Sequence, residues 1–230
     1  YYDTNAIGKF PARLKPISHR PQLTDRAGAI NYREIYEQLM QLTLCIYTPS
    51  NYIHPSRRDK YTALAHNMAE NLTQTGRERG MQRLMSINLL KRLESSVHSF
   101  RLTISKIKAG IEAAIAEINR FEQSGRAELP LYEMETSDLD MDDENTELFT
   151  VGRKMPVDLA DMDWKSWRRE LQKDSEILAV LQAMVADITP AHDTKLQELL
   201  RLIADKIEHP INEGNRRVLV FSAFSDTAEY

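Results

Sequence analysis

Ten apolar residues, Leu90, Leu93, Val97, Phe100, Ile104, Ile107, Ile111, Ala114, Ile118 and Phe121, recur three and four residues apart in strict alternation. That spacing is a heptad seam sustained over more than four heptads, and it commits this stretch to a helix with one apolar stripe. A single helix from Arg77 to Gln123 would be about 70 Å long at 1.5 Å per residue. Gly110 falls inside it, at a cost of up to about 1 kcal/mol relative to Ala, and allows close packing or a slight bend. So long a stripe needs cover. Trp164, Trp167, Leu171, Leu178, Leu181, Val185 and Ile188 repeat the pattern, with Asp174 as the only polar intruder. The two stripes predict a mainly α fold, a long antiparallel helical hairpin within a helical bundle. The return helix is only about half as long. Helices over 32–48 (Ile35, Tyr36, Leu39 and Met40 inward) and 57–74 (Tyr61, Leu64, Ala65, Met68 and Leu72 inward) are therefore expected to cover the remaining seam.

Around that body the pattern changes. Pro11, Pro16 and Pro21 interrupt residues 1–31, which show no helical period and read as an extended segment with a strand near 14–23. Residues 32–190 form the helical part. Within it, 126–162 reads as an acidic crossing: Glu133, Glu135, Asp138, Asp140, Asp142, Asp143, Glu144 and Glu147 lie there, with no Lys or Arg between Arg126 and Arg153. Such a stretch is expected to face solvent and move freely. Residues 191–230 open with a helix from Asp193 to Glu208, its apolar side formed by Leu196, Leu199, Leu200, Ile203 and Ile207. Pro210 and Gly214 follow, then Arg216-Arg217-Val218-Leu219-Val220-Phe221-Ser222-Ala223-Phe224-Ser225-Asp226-Thr227. The apolar run predicts a β-strand of the sort buried on both faces of a parallel sheet, with Ser225 or Asp226 capping a helix after it. One strand cannot bury both faces alone, and the chain begins with Tyr rather than Met, so a piece of a larger protein is expected.

The net charge of −4 conceals an asymmetry. Residues 1–110 carry 17 Lys and Arg against 8 Asp and Glu, whereas residues 111–230 carry 13 against 26. The basic half suits phosphate and the acidic half repels it, although such charges equally suit solvated helix faces. The single cysteine, Cys45, excludes an internal disulfide and a cysteine-rich zinc site, in keeping with a cytoplasmic location. No apolar stretch reaches membrane-spanning length, so no membrane partner is expected.

Two segments carry a resemblance. Asp193-Thr194-Lys195-Leu196-Gln197-Glu198-Leu199-Leu200, followed by the Val218–Thr227 strand and turn, is similar to the entry into the second motor lobe of superfamily-two helicases of the bacterial Swi/Snf-like DNA translocases. Asn88-Leu89-Leu90-Lys91-Arg92-Leu93-Glu94-Ser95-Ser96-Val97-His98-Ser99-Phe100 resembles the segment between the two lobes of the same family. Together they span about thirty residues, in the family's order. The resemblance implies that 1–31 ends a first lobe, 32–190 is an inter-lobe helical insertion and 191–230 starts a second RecA-like lobe. It implies an ATP-dependent helicase or translocase as the parent protein, with ATP and magnesium as the parent's cofactors. The partners would be DNA, gripped by its backbone without sequence readout, and the missing motor lobes. It further implies phosphate contacts from the turn residues Ser222, Phe224, Ser225 and Thr227, in keeping with the affinity of N–H groups at a helix start for phosphate.

The rest of the chain offers little catalytic material. No Gly-rich loop with Lys-Ser/Thr occurs, and Asp142-Asp143-Glu144-Asn145 follows no buried strand, so this piece is not expected to hydrolyse ATP itself. The six His form no metal-ligand spacing, no nucleophile elbow is found, and Cys45 sits between Leu44 and Ile46 as a small core residue. No catalytic or metal-binding residue is therefore assigned. The remaining candidates for phosphate contact are basic: Lys91, Arg92, Arg77, Arg83, Arg57 and Arg58. Lys91 and Arg92 flank the seam and equally suit snorkelling or a salt bridge. A different class of reading takes the heptad hairpin as a protein-interaction or dimerisation module.

Overall fold

The computed structural model describes residues 11–26, 28, 30–61, 74–124 and 157–230. It is mainly helical: α1 Tyr32–Leu39, α2 Gln74–Ser95, α3 Val97–Ser124, α4 Trp164–Val185, α5 Thr194–Glu208 and α6 Ser225–Glu229, with short 3₁₀ turns between them. The chain divides into two compact units, one of Tyr1–Asn31 with Ile188–Phe221 and the other of Tyr32–Asp187 with Ser222–Tyr230. Most of the acidic crossing, and most of the helix expected over 57–74, lie outside the described residues.

The larger unit is organised by the seam. Of its ten residues, Leu93, Val97, Phe100, Ile104, Ile107, Ile111, Ala114 and Ile118 are buried. Helix α4 runs antiparallel along α3, as the pairs Arg168–Glu122, Gln182–Ser105 and Arg101–Val185 show in succession. Phe121 and Trp164 close one end edge-to-face at 6.1 Å. Burying these Ile, Leu and Phe side chains contributes about 1.5–3 kcal/mol each before entropy is counted.

Three expectations are corrected here. The helix read as continuous from Arg77 to Gln123 breaks at Ser96, between α2 and α3. Ser96 Oγ accepts from the Ser99 N–H at 3.0 Å and so caps α3, the local side-chain-to-backbone bond with which Ser competes against the helical ladder. The helix expected over 32–48 stops at Leu39. Leu44 adopts φ 50°, and a 3₁₀ turn covers Cys45–Tyr47. Of its expected inward face only Ile35 is buried, while Tyr36 and Met40 are exposed. The cause is Asp174. Its carboxylate accepts from the Thr43 N–H at 2.8 Å, the Thr43 hydroxyl at 2.9 Å and the Cys45 N–H at 3.1 Å, and these amides are lost to any helix. Finally, the far end of the expected acidic crossing is ordered. Val157, Leu159 and Met162 are buried, and Met162 pairs with Ile53 in an antiparallel bridge.

In the smaller unit, the extended N-terminal segment lies beside α5. Thr24 bridges Asp193, the Ala12 N–H donates to Asn212 Oδ1 at 2.7 Å, and the buried Asp193 caps α5 through the Leu196 N–H at 3.1 Å. The expected strands, near 14–23 and over 216–221, are not seen: no strand occurs among the described residues. Residues 216–221 have no assigned secondary structure and no ladder partner among the described residues, and Leu219 and Phe221 are 82 % and 90 % exposed. A strand exists only as one member of a pair. No described helix is long and apolar enough to cross a membrane.

Candidate nucleic-acid interface

Two stretches that belong to the resembling segments, 88–100 and 222–227, meet in the larger unit. Where α2 gives way to α3, Arg92 is 1 % exposed although it stands off the seam itself. Its Nη1 donates to Ser99 Oγ at 3.0 Å and to Asp226 Oδ2 at 2.6 Å. Its guanidinium lies 4.6 Å from the centre of the Phe224 ring, a cation–π stack within a buried pocket. The neighbouring hydroxyls continue the contact, with Thr227 Oγ1 at 2.8 Å from Ser95 Oγ and 2.9 Å from Ser96 Oγ. His98 and Tyr230 stack in parallel at 4.9 Å. The turn itself is held locally, because Ser222 Oγ donates to the Phe224 carbonyl and accepts from the Phe224 N–H. Neither Ser225 nor Asp226 caps α6: the N-cap is Phe224, without a side-chain cap bond, and Asp226 is drawn to Arg92 instead.

This geometry sorts the candidates. Arg92 and Phe224 are buried against each other and present no open face to a phosphate; Arg92 takes the salt-bridge role. Thr227 is half-buried, while Ser222 and Ser225 are exposed. Arg58 and Arg83 are exposed, and Lys91 is half-buried. Arg57 is exposed and reaches Asp161 Oδ1 at 3.3 Å. The side chain of Arg77 lies outside the described residues. Lys91 and Arg92, adjacent in sequence, therefore do not line one groove.

A second polar cluster surrounds Asp161. Lys60 Nζ and the Tyr61 hydroxyl donate to Oδ2 at 2.6 and 2.8 Å, and the Lys60 bond, then the Tyr61 bond, hold the carboxyl below its usual range. It pins the 3₁₀ turn around Leu159 to the chain at 57–61. Cys45 is buried, and burial, then the Asp174 charge, push its thiol up to about 12. A thiol so protonated is no nucleophile at neutral pH. Among the described residues no group of three or more His, Cys, Asp or Glu is arranged to hold a metal ion.

Sequence reasoning missed Asp226 and Ser99 as partners of Arg92, Ser95 and Ser96 as partners of Thr227, and Asp174 as an anchor. Asp174 had a visible signal, a lone carboxylate on an apolar stripe; the serine pair between two seam positions was the other. Comparison with family models, curated proteins and solved structures finds no match.

Proposed function

We propose that this chain is the helical inter-lobe insertion, with the entry to the second RecA-like lobe, of a cytoplasmic ATP-dependent DNA helicase or translocase of the Swi/Snf-like kind. ATP and magnesium are work for the parent's motor lobes; this piece grips or guides duplex by its backbone. One observation carries the reading. The segments 88–100 and 218–227, each resembling that family separately and more than a hundred residues apart, are joined through residues 224–227 by an ion pair, a cation–π stack and hydroxyl contacts. Residues that resemble a motor's signature and also touch support a common mechanical role.

The exposed cations Arg58 and Arg83 and the hydroxyls of Ser222 and Ser225 are the surface assigned to phosphate, and such binding is sequence-independent and salt-sensitive. The competing reading, a coiled-coil interaction or dimerisation module, needs a free seam. Eight of its ten residues are buried within the chain, which favours the first reading. Charge reversal separates the two. Arg58→Glu with Arg83→Glu is expected to weaken binding to a short labelled duplex at least tenfold at low salt, with circular dichroism unchanged. Unchanged affinity with concentration-dependent self-association in sedimentation would select the interaction module instead.

A further inference from the structure

The contact between the turn and the α2–α3 junction occupies three candidates for phosphate contact that the exposed grip leaves unused, Arg92, Phe224 and Thr227. Thr227 Oγ1 is shared between Ser95 and Ser96, Asp226 occupies Arg92, and Phe224 is 5 % exposed beneath the guanidinium. Yet the attachment has the character of a reversible seal. Asp226 keeps 24 % of its side-chain surface in water while Arg92 keeps 1 %, so the carboxylate is the half of the pair that water reaches and that can leave without unburying the guanidinium's own helix. Ser95 is half-buried, and Ser222 Oγ lies only 3.5 Å from Ser95 Oγ. The hydrogen bonds that Arg92 and Thr227 make in the seal are ones that a phosphate oxygen can replace: it accepts from Thr227 and, more strongly than a neutral group would, from Arg92.

We propose that residues 222–230 form a latch: closed, they bury Arg92 and occupy the turn hydroxyls, and a duplex phosphate opens them by displacing Asp226. Arg92 is then a latent phosphate ligand, exposed only in the open state. This inference rests on the DNA-gripping reading above and adds its regulation. Where Arg92 adds its hold only in a minor open state, the apparent affinity is lowered by the open fraction, so anything that weakens the latch tightens binding and anything that locks it leaves only the weaker hold of the exposed residues.

The test locks the latch in the whole chain. Ser95→Cys with Thr227→Cys puts two thiols where hydroxyls stand 2.8 Å apart, close to disulfide reach, and Cys45, the one native thiol, is buried. Affinity for a labelled duplex at low salt is measured after diamide oxidation and again after reduction. The expected result is at least tenfold weaker binding in the oxidised form, restored by dithiothreitol. A second variant needs no cross-link: Ser95→Ala removes one latch hydrogen bond without changing charge, and is expected to tighten duplex binding about fivefold. Equal affinity of oxidised and reduced forms, or unchanged or weaker binding by Ser95→Ala, overturns the latch while leaving the DNA reading intact. Failure of the unmodified chain to bind duplex at low salt overturns the DNA reading, and the latch with it.

Discussion

Replacing Asp174 should damage this fold more than any change elsewhere on the α4 seam. Its carboxylate is fully buried and accepts three hydrogen bonds, two from backbone N–H groups that no substitution can remove. Hydrogen bonds to a charged group contribute about 1.5–3 kcal/mol each, and abandoned buried donors carry their own desolvation cost, so the three together place Asp174→Ala at about 3–5 kcal/mol. For a chain of this size that lowers the melting temperature by roughly 10 °C. Asp174→Asn keeps one acceptor oxygen but turns an NH2 toward donors, and should lose about half as much. Asp174→Leu is the sharpest variant, because it completes the apolar stripe. If Asp174 is only a tolerated intruder, Leu stabilises; if it anchors 43–45, Leu still costs about 2 kcal/mol or more. Urea unfolding followed by circular dichroism and by Trp167 fluorescence reads this out, since the Trp167 indole N–H donates to the Cys45 carbonyl at 3.1 Å. A stabilised Asp174→Leu, or a loss below about 1 kcal/mol for Asp174→Ala, would refute the reasoning.

Two further outcomes follow from the polar contacts. Cys45 should resist iodoacetamide in the native chain at pH 8–9 and react on unfolding. Its thiol pKa is raised by burial in the fold, so the associated stability is complete below the ordinary thiol range of about 9 and is lost as pH climbs toward about 12; native-state labelling at the unfolded rate would contradict this. A double-mutant cycle of Arg92→Met with Asp226→Ala should show coupling of about 1–3 kcal/mol, discounted from a fully buried pair because Asp226 is partly wet. It is best read by hydrogen exchange over 225–229, and additive effects would mean that the ion pair does not hold the turn.

What the sequence could and could not disclose follows the range of each interaction. The α3 and α4 stripes are legible because their periodicity is local and their cover is apolar, which any matching stripe supplies. The end of α1 is illegible for the opposite reason: the group that captures the amides of Thr43 and Cys45 is about 130 residues away. Ser96 had a local cue, a side chain that bonds its own backbone, but the heptad pattern ran through it without a gap. The strand expected at 218–221 illustrates a property that belongs to a pair of segments and cannot be assigned to one. The arrangement of the candidate residues was not legible in the sequence. Lys91 and Arg92 are neighbours in sequence, yet the 100° turn between adjacent helical residues and the docking of 222–230 bury the second and leave the first on the flank.

The most direct measurement is fluorescence-anisotropy titration of the unmodified chain with a short labelled duplex at several salt concentrations. The account predicts binding at low salt that falls linearly on log–log axes with a slope of about −2 to −4, the mark of a few neutralised phosphates, and that is indifferent to duplex sequence. No binding at low salt, or binding without salt dependence, would contradict the proposal that this helical unit grips DNA.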